Sequence, residues 1–376
     1  MLGIGEIFLT RVILGLILVI LASYSLTALV RFYAIKKSIF DIPNERSSHS
    51  VVTPRGGGLA IAATFVFSLV FMAAFRIVPL NIALALVVGG FLVAAIGWLD
   101  DKNSVPPGLR LAVHFLAAVW ALYWLDGFDQ MDIGFTTVHL GWAGSVIAAF
   151  AIVWLINLYN FMDGIDGIAG IEAVSAALGA GLLLFWIGSQ GLAWVCMILA
   201  LAVGGFLIWN WPPARIFMGD VGSGFLGYVF AVLALISEKN ASFPLIVWLL
   251  LLGVFITDAT ITLFKRLGRG EKLSQAHRTH VYQLAVQAGY SHKRVTLMVL
   301  FINIMLGIAA AAAILYRGYL LWIVVGAFIF LTMLHFLLAH RFNSRLNADY
   351  EGRKRRLESP TAVVGQKEAA AISETE

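Results

Sequence analysis

The stretch FLTRVILGLILVILASYSLTALV, residues 8–30, carries a single charge, Arg11. A helix that crosses a bilayer needs about 20 mostly apolar residues, with a range of roughly 17–25. The run is too long for the apolar part of a secretory signal, so it reads as a first membrane span and not as a cleavable leader. The rest of the chain has the same character. Of its 376 residues 60% are hydrophobic and 12% charged, and the mean hydropathy is +0.89. Soluble domains average about 25% charged residues. The composition predicts an all-α, polytopic integral membrane protein.

Apolar windows of span length recur eleven times: 8–30, 58–75, 80–99, 109–126, 141–158, 168–187, 190–209, 222–237, 243–263, 296–316 and 319–340. Linkers as short as Arg317–Gly318 imply tight helical hairpins. Lysine and arginine collect in cytoplasmic loops. Of the 26 in the chain, only Arg11, Arg76, Lys239 and Arg317 fall on one side. The imbalance predicts a periplasmic N-terminus and a cytoplasmic C-terminus. Residues 1–340 then form one transmembrane domain with cytoplasmic loops 31–57, 100–108, 159–167, 210–221 and 264–295. The tail, 341–376, is charged and then small and polar, and is expected to be disordered. No internal repeat stands out, and an odd span count argues against a two-fold duplicated transporter. Cys196 is the one cysteine. It excludes an intrachain disulfide and reads as a small hydrophobe. The net charge of +5 suits basic loops, and no basic face interleaved with aromatics points to nucleic acid.

Unusual polar residues gather in five successive cytoplasmic loops. In DIPNERSSHSVVTPRGGG, 41–58, residues Arg46, His49, Arg55 and the backbone N–H groups of Gly56–Gly58 suit an anion; a plain juxtamembrane basic loop is the alternative. In GWLDDKNSVPP, 97–107, the adjacent Asp100 and Asp101 repel each other and suggest a shared cation or proton, against ordinary loop acids beside Lys102. In YNFMDGIDGIAG, 159–170, Asn160, Asp163 and Asp166 recur every third residue, so a helical turn would put them on one face. Helix capping by Asp166 is the competing reading. In NWPPARIFMGDVGSGFLGY, 210–228, Asp220 stands at the entrance to a span, either as a cap or beside a phosphate and its metal. In AHRTHVYQ, 276–283, His277 and His280 flank Arg278; the pair suits phosphate contact or proton handling, and a solvated amphipathic helix is the alternative. His292 reads as a helix-start residue.

Carboxylates, histidines, arginines and glycine-rich turns at one membrane face suit phosphoryl transfer, which is mainly positioning and charge stabilisation. Mg²⁺ prefers one or two carboxylates plus substrate phosphates. The acceptor is expected to be lipidic, because the site borders the bilayer. An ion-coupled transporter is the alternative of a different class, but its acids belong near the bilayer midplane.

The motifs DD at 100–101, NFMDGIDGIAG, NWPPARIFMGDVGSG and the late histidine motif resemble the polyprenyl-phosphate N-acetylhexosamine-1-phosphate transferases over roughly residues 40–295. The resemblance implies transfer of an N-acetylated sugar-1-phosphate from a UDP-sugar to polyprenyl phosphate, with release of UMP, at the cytoplasmic face of a bacterial inner membrane. It implies Mg²⁺, with Mn²⁺ as a substitute, and a possible homodimer. By motif, Asp220 resembles the metal ligand. Asp100, Asp101, Asp163 and His280 resemble the catalytic set. Asn160, Asp166, Asn210, Phe217, His277 and Arg278 resemble the substrate-binding positions, with Asn210 and Phe217 near uridine. The chain has HRTH where better-known members have His-x-His or a triple-His run, and TPRGGG where the peptidoglycan branch has TPTMGG. Both departures favour the branch that initiates O-antigen, lipopolysaccharide or related surface polysaccharide.

Overall fold

The computed structural model describes residues 4–43, 48–241, 243–271 and 277–357. Arg46, named above for an anion, lies outside them. The order is α1 (Ile4–Lys36), β1 (Phe40–Asp41), β2 (Thr53–Pro54), α2 (Gly58–Ala74), α3 (Leu80–Lys102), α4 (Pro107–Trp124), β3 (Gln130–Asp132) and β4 (Thr137–His139). It continues with α5 (Trp142–Met162), α6 (Ile168–Trp186), α7 (Gln190–Asn210), α8 (Asp220–Ala241), α9 (Leu245–Leu251), α10 (Gly253–Gly268), α11 (Val281–Gln287), α12 (His292–Leu315) and α13 (Leu320–Leu357). The only strands among the described residues are two short antiparallel hairpins, β1–β2 and β3–β4. The protein is an all-α polytopic membrane protein.

Every expected span is helical, but the count changes. Among the described residues eight helices are long and apolar enough to cross a membrane, nine if α9 and α10 are one broken span. Helix α2 has only 17 residues. Helix α4, which carries Arg110 and His114, is not among the eight. The expected continuous span at 243–263 is instead bent by 84° between α9 and α10. The bend falls at Leu252–Gly253, where a side chain at Gly253 would crowd Leu306 and Leu331 at 3.1 Å. The tail expected to be disordered from 341 is helical to Leu357. A helix already nucleated in the membrane propagates through good helix formers until something stops it, and no proline comes before Pro360.

Helix α8 is the axis of the fold, with 94% of its apolar stretch buried. Glycines let neighbours close on it, as small residues do between membrane helices. A Cβ at Gly58 would strike Gly222, one at Gly89 the Tyr228 hydroxyl, and one at Gly97 the Asp220 carbonyl at 2.5 Å. These approaches press the start of α8 against the end of α3 and the start of α2, which is where the candidate site forms.

Candidate functional site

The loop before α2 is a connector more than an anion nest. Gly57 and Gly58 donate their N–H groups to the carbonyls of Phe217 and Met218 at 2.9 and 2.8 Å, and Phe217 donates to Pro54 O at 2.8 Å. Those N–H groups are therefore engaged, contrary to expectation. The pairing carries Arg55 over the start of α8. Its Nε donates to Asp101 Oδ1 at 2.7 Å and its Nη2 to Asp220 Oδ1 at 3.1 Å.

Asp100 and Asp101, expected to share a cation or a proton, have different protein partners. They sit in the last turn of α3. Asp101, its side chain fully buried, accepts the N–H groups of Asp220 and Val221 at 2.9 and 3.2 Å. It is thus the cap of α8, supplied by a distant helix, and it leaves Asp220 free of that task. Asp100 accepts from Val105 N at 2.7 Å and from Arg110 Nη1 at 2.6 Å. Arg110 also reaches Asp220 Oδ2 at 3.2 Å. Asp220 is therefore held between two guanidinium groups, one on each oxygen.

Asn160, Asp163 and Asp166 do not share a helical face. Helix α5 ends at Met162, Asp163 is its C-cap, and 163–167 is an open turn. The three nevertheless line one polar cavity, because the turn folds around it. Asn160 Nδ2 donates to Ser223 Oγ at 3.0 Å. Asp166 does not cap α6; it accepts from Ala214 N at 3.1 Å and lies 3.3 Å from His292 Nδ1. The partner of the Gly167 N–H is Asn210 Oδ1 at 2.9 Å, while Asn210 Nδ2 donates to Ile216 O at 2.9 Å. Asn210 thus braces the walls as well as lining the cavity.

The cavity measures about 800 Å³ with its open mouth, and Asp41, His49, Arg55, Phe217, Gly219, Asp220, Gln283 and His292 also line it. His49 packs edge-on to Phe217, ring centroids 4.8 Å apart. Burial, then the negative charges of Asp220 and Asp101, push the Asp163 carboxyl up to about 7, against the pull of Arg55. Unlike Asp100, Asp101 and Asp220, it has no guanidinium of its own. His277, Arg278 and His280 do not line this cavity. His280 is 3% exposed and its Nδ1 lies 3.5 Å from Asp258 Oδ1. Burial and the neighbouring His280 lower His277 to about 4, so its ring is neutral at physiological pH. Sequence reasoning missed Arg110, Asp258, Gln283 and the reach of His292. Only Asp258 carried a usable signal, an acid inside an expected span.

Among the described residues no three His, Cys, Asp or Glu side chains converge to hold a metal ion by themselves. The donors still suit a hard cation that takes most of its ligands from phosphates. Asp163 presents a carboxylate without a cationic partner, and it faces a second carboxylate, Asp220.

The model of a family described as glycosyl transferase family 4 matches residues 83–238, which run from within α3 to near the end of α8 and contain all five clustered aspartates. The central part of the chain, residues 83–238, is thus similar to glycosyl transferase family 4. It is similar to a probable undecaprenyl-phosphate N-acetylglucosaminyl 1-phosphate transferase of Bacillus subtilis, 27% identical over 80% of this chain and 84% of that protein. It is also similar to an undecaprenyl-phosphate alpha-N-acetylglucosaminyl 1-phosphate transferase of Haemophilus influenzae, 27% identical over 70% of this chain and 76% of that one. A phospho-N-acetylmuramoyl-pentapeptide-transferase of Moorella thermoacetica is 28% identical over 61% of this chain and 75% of that protein. Asp100, Asp101, Asp163, Asp166 and Asp220 all lie within the matched residues, on the helix ends and turns that surround the cavity.

Proposed function

We propose that this protein transfers an N-acetylhexosamine-1-phosphate from its UDP-sugar to polyprenyl phosphate at the cytoplasmic face of a bacterial inner membrane. The observation that carries the reading is the polar cavity lined by Arg55, Asp163, Asp166 and Asp220, with Arg110 and Asp101 paired to Asp220 beside it, in a chain whose residues 83–238 match the family 4 model. The names of the matched relatives, with undecaprenyl phosphate and N-acetylglucosaminyl 1-phosphate, support the same substrates. TPRGGG and HRTH support the surface-polysaccharide branch, including O-antigen initiation.

In this reading an oxygen of the lipid phosphate attacks the β-phosphorus of the UDP-sugar. The bond from that phosphorus to the bridging oxygen breaks. UMP leaves with the bridging oxygen, and polyprenyl-pyrophosphoryl-sugar forms. Asp163, titrating near neutrality, takes any proton left on the lipid phosphate. Arg55 and Arg110, which reach Asp220 from either side, turn to the phosphates and stabilise the charge that builds there. Asp101 holds the start of α8 in place throughout, and Asp166 and Asn160 hold the nucleotide-sugar side of the cavity. Asp220 is the residue that would hold Mg²⁺, or Mn²⁺ with its similar oxygen preference, and the ion would supply neutralisation of the pyrophosphate. His280 acts from behind the wall.

Purified protein with Mg²⁺, polyprenyl phosphate and a panel of UDP-N-acetyl sugars should release UMP. Silence across the whole panel, UDP-N-acetylmuramoyl-pentapeptide included, would sink the reading; activity with that last donor alone would move it to the peptidoglycan branch.

A further inference from the structure

Asp258 lies in α10, inside a stretch whose sequence reads as membrane span. A carboxylate there is costly unless it is matched by partners, and Asp258 has several. Its two oxygens accept the Val281 N–H at 3.1 and 3.0 Å. The Thr262 hydroxyl donates to Oδ1 at 3.2 Å. Nδ1 of His280 and Nδ1 of His335 approach the same oxygen at 3.5 and 3.6 Å. Lys265 Nζ lies 3.0 Å from His335 Nε2. An ammonium group only donates, so Nε2 is the acceptor and the His335 proton sits on Nδ1, facing Asp258.

One carboxylate thus joins α10, the start of α11 and α13. Val281 is the first residue of α11, which has only seven residues. So short a helix does not hold itself together, and a negative charge at its N-terminus favours it. What α11 carries gives this node its consequence. The Tyr282 hydroxyl donates to Phe161 O at 3.0 Å, and a Cβ on Gly164 would collide with that hydroxyl. Tyr282 therefore fits against the Asp163 turn with no spare room. The His280 ring stacks on Tyr282 at 5.7 Å and 14°, and Gln283 lines the polar cavity.

We propose that Asp258 is a positioning residue: by holding the start of α11 it fixes Tyr282 and Gln283 against the Asp163 turn, and so fixes Asp163 in the cavity. Its kinetic consequence rests on the phosphotransfer reading; its structural consequence does not. The test compares the full-length protein with Asp258→Ala and Asp258→Asn, by UMP release and by hydrogen exchange. Asp258→Ala should lower kcat at least about tenfold with KM for the UDP-sugar within about threefold, the split expected when geometry and not nucleotide contact is lost. Amides of 281–287 and of 163–167 should exchange about tenfold faster or more, while those of the β3–β4 hairpin stay as in the wild type. Asp258→Asn keeps an oxygen for the Val281 N–H and should recover most of the rate and the protection. Tyr282→Phe cuts the same link from the other side and serves if the alanine variant does not fold. It should speed exchange at 163–167 and leave 281–287 protected. Unchanged exchange at 163–167 in Asp258→Ala or Tyr282→Phe overturns the proposal, as does an asparagine variant as loose as the alanine one. A wild-type protein that releases no UMP refutes the phosphotransfer reading instead, and the exchange data still decide the positioning role.

Discussion

At the end of the bundle that carries the β3–β4 hairpin, charges close mainly on backbone. Lys239 donates to the carbonyls of Leu125, Asp126 and Gly127 at 2.6 to 3.0 Å. Glu238 accepts the N–H groups of Asp132 and Leu245 at 2.7 and 2.6 Å, and Arg317 pairs with Asp132 at 2.8 Å. At the other end of α8, about 30 Å away at 1.5 Å per residue, carboxylates outnumber the arginines that serve them. Arg55 and Arg110 are each divided between two acids, and Asp163 has none. A charge matched locally makes a seal. Charges left short of partners, around an open polar cavity, make a place for a ligand to complete the match.

The comparison is tested most severely at Asp163. Asp163→Asn should lower turnover by about 10³-fold, the scale of losing a charge-stabilising group in an active site. It should also stabilise the ligand-free protein. The carboxyl, raised to about 7, keeps a proton in the folded chain that the unfolded chain loses above about 4. Stability therefore falls as pH rises from about 4 to about 7 and stays lower above that. Thermal unfolding of the metal-free variant should lie above wild type at pH 8, with the gap shrinking by pH 5. A variant less stable than wild type at pH 8 would break the idea of an unmatched carboxylate. Asp220→Asn and Asp100→Asn should also abolish turnover with the fold intact.

Arg55→Gln and Arg110→Gln each remove a cation shared by two acids. Each should cost about 10²-fold in kcat/KM, by the strength of charge-assisted contacts to phosphate; near-normal activity in both would show that the arginines only pair the acids. Gly219→Ala comes next. Gly219 has φ +75°, and a Cβ there would collide with the Asp101 carboxylate. The left-handed backbone alone costs about 1–2 kcal/mol, so the start of α8 should shift and activity fall about tenfold. At the sealed end, Lys239→Ala should lower stability by about 1–3 kcal/mol and leave turnover of the folded fraction within about twofold. The smallest effect belongs to His277. Its ring is already neutral above pH 5, so His277→Asn should leave the shape of the pH–rate profile between pH 6 and 9 unchanged.

The fold was legible wherever a signal is carried by neighbouring residues. Apolar runs mark the helices, and the Asp-Asp, Asp-x-x-Asp and Met-Gly-Asp clusters mark the ends that meet. The bend at Leu252 was not legible, because LIVWLLLLGVFIT is uniformly apolar and only Gly253 hints at it. The face shared by Asn160, Asp163 and Asp166 was read from helical spacing, but the helix stops at Met162 and a turn brings them together. Partnerships between distant segments left no mark at all. Asp166 with His292, Asp101 with the start of α8, and Asp258 with Val281 each join elements that only tertiary packing brings together. For the same reason the adjacent Asp100 and Asp101 looked like a pair, although each is claimed by a different partner.

The most direct measurement follows the β-phosphorus. UDP-N-acetylhexosamine labelled with ³²P in its β-phosphate is incubated with the purified protein, Mg²⁺ and polyprenyl phosphate, and the label is partitioned between organic and aqueous phases. Transfer of a sugar-1-phosphate predicts that the label enters the lipid phase in step with UMP, one for one, and that Asp163→Asn stops both. Label that stays in water as UDP while the sugar moves to lipid, or label transfer undiminished by Asp163→Asn, would contradict it.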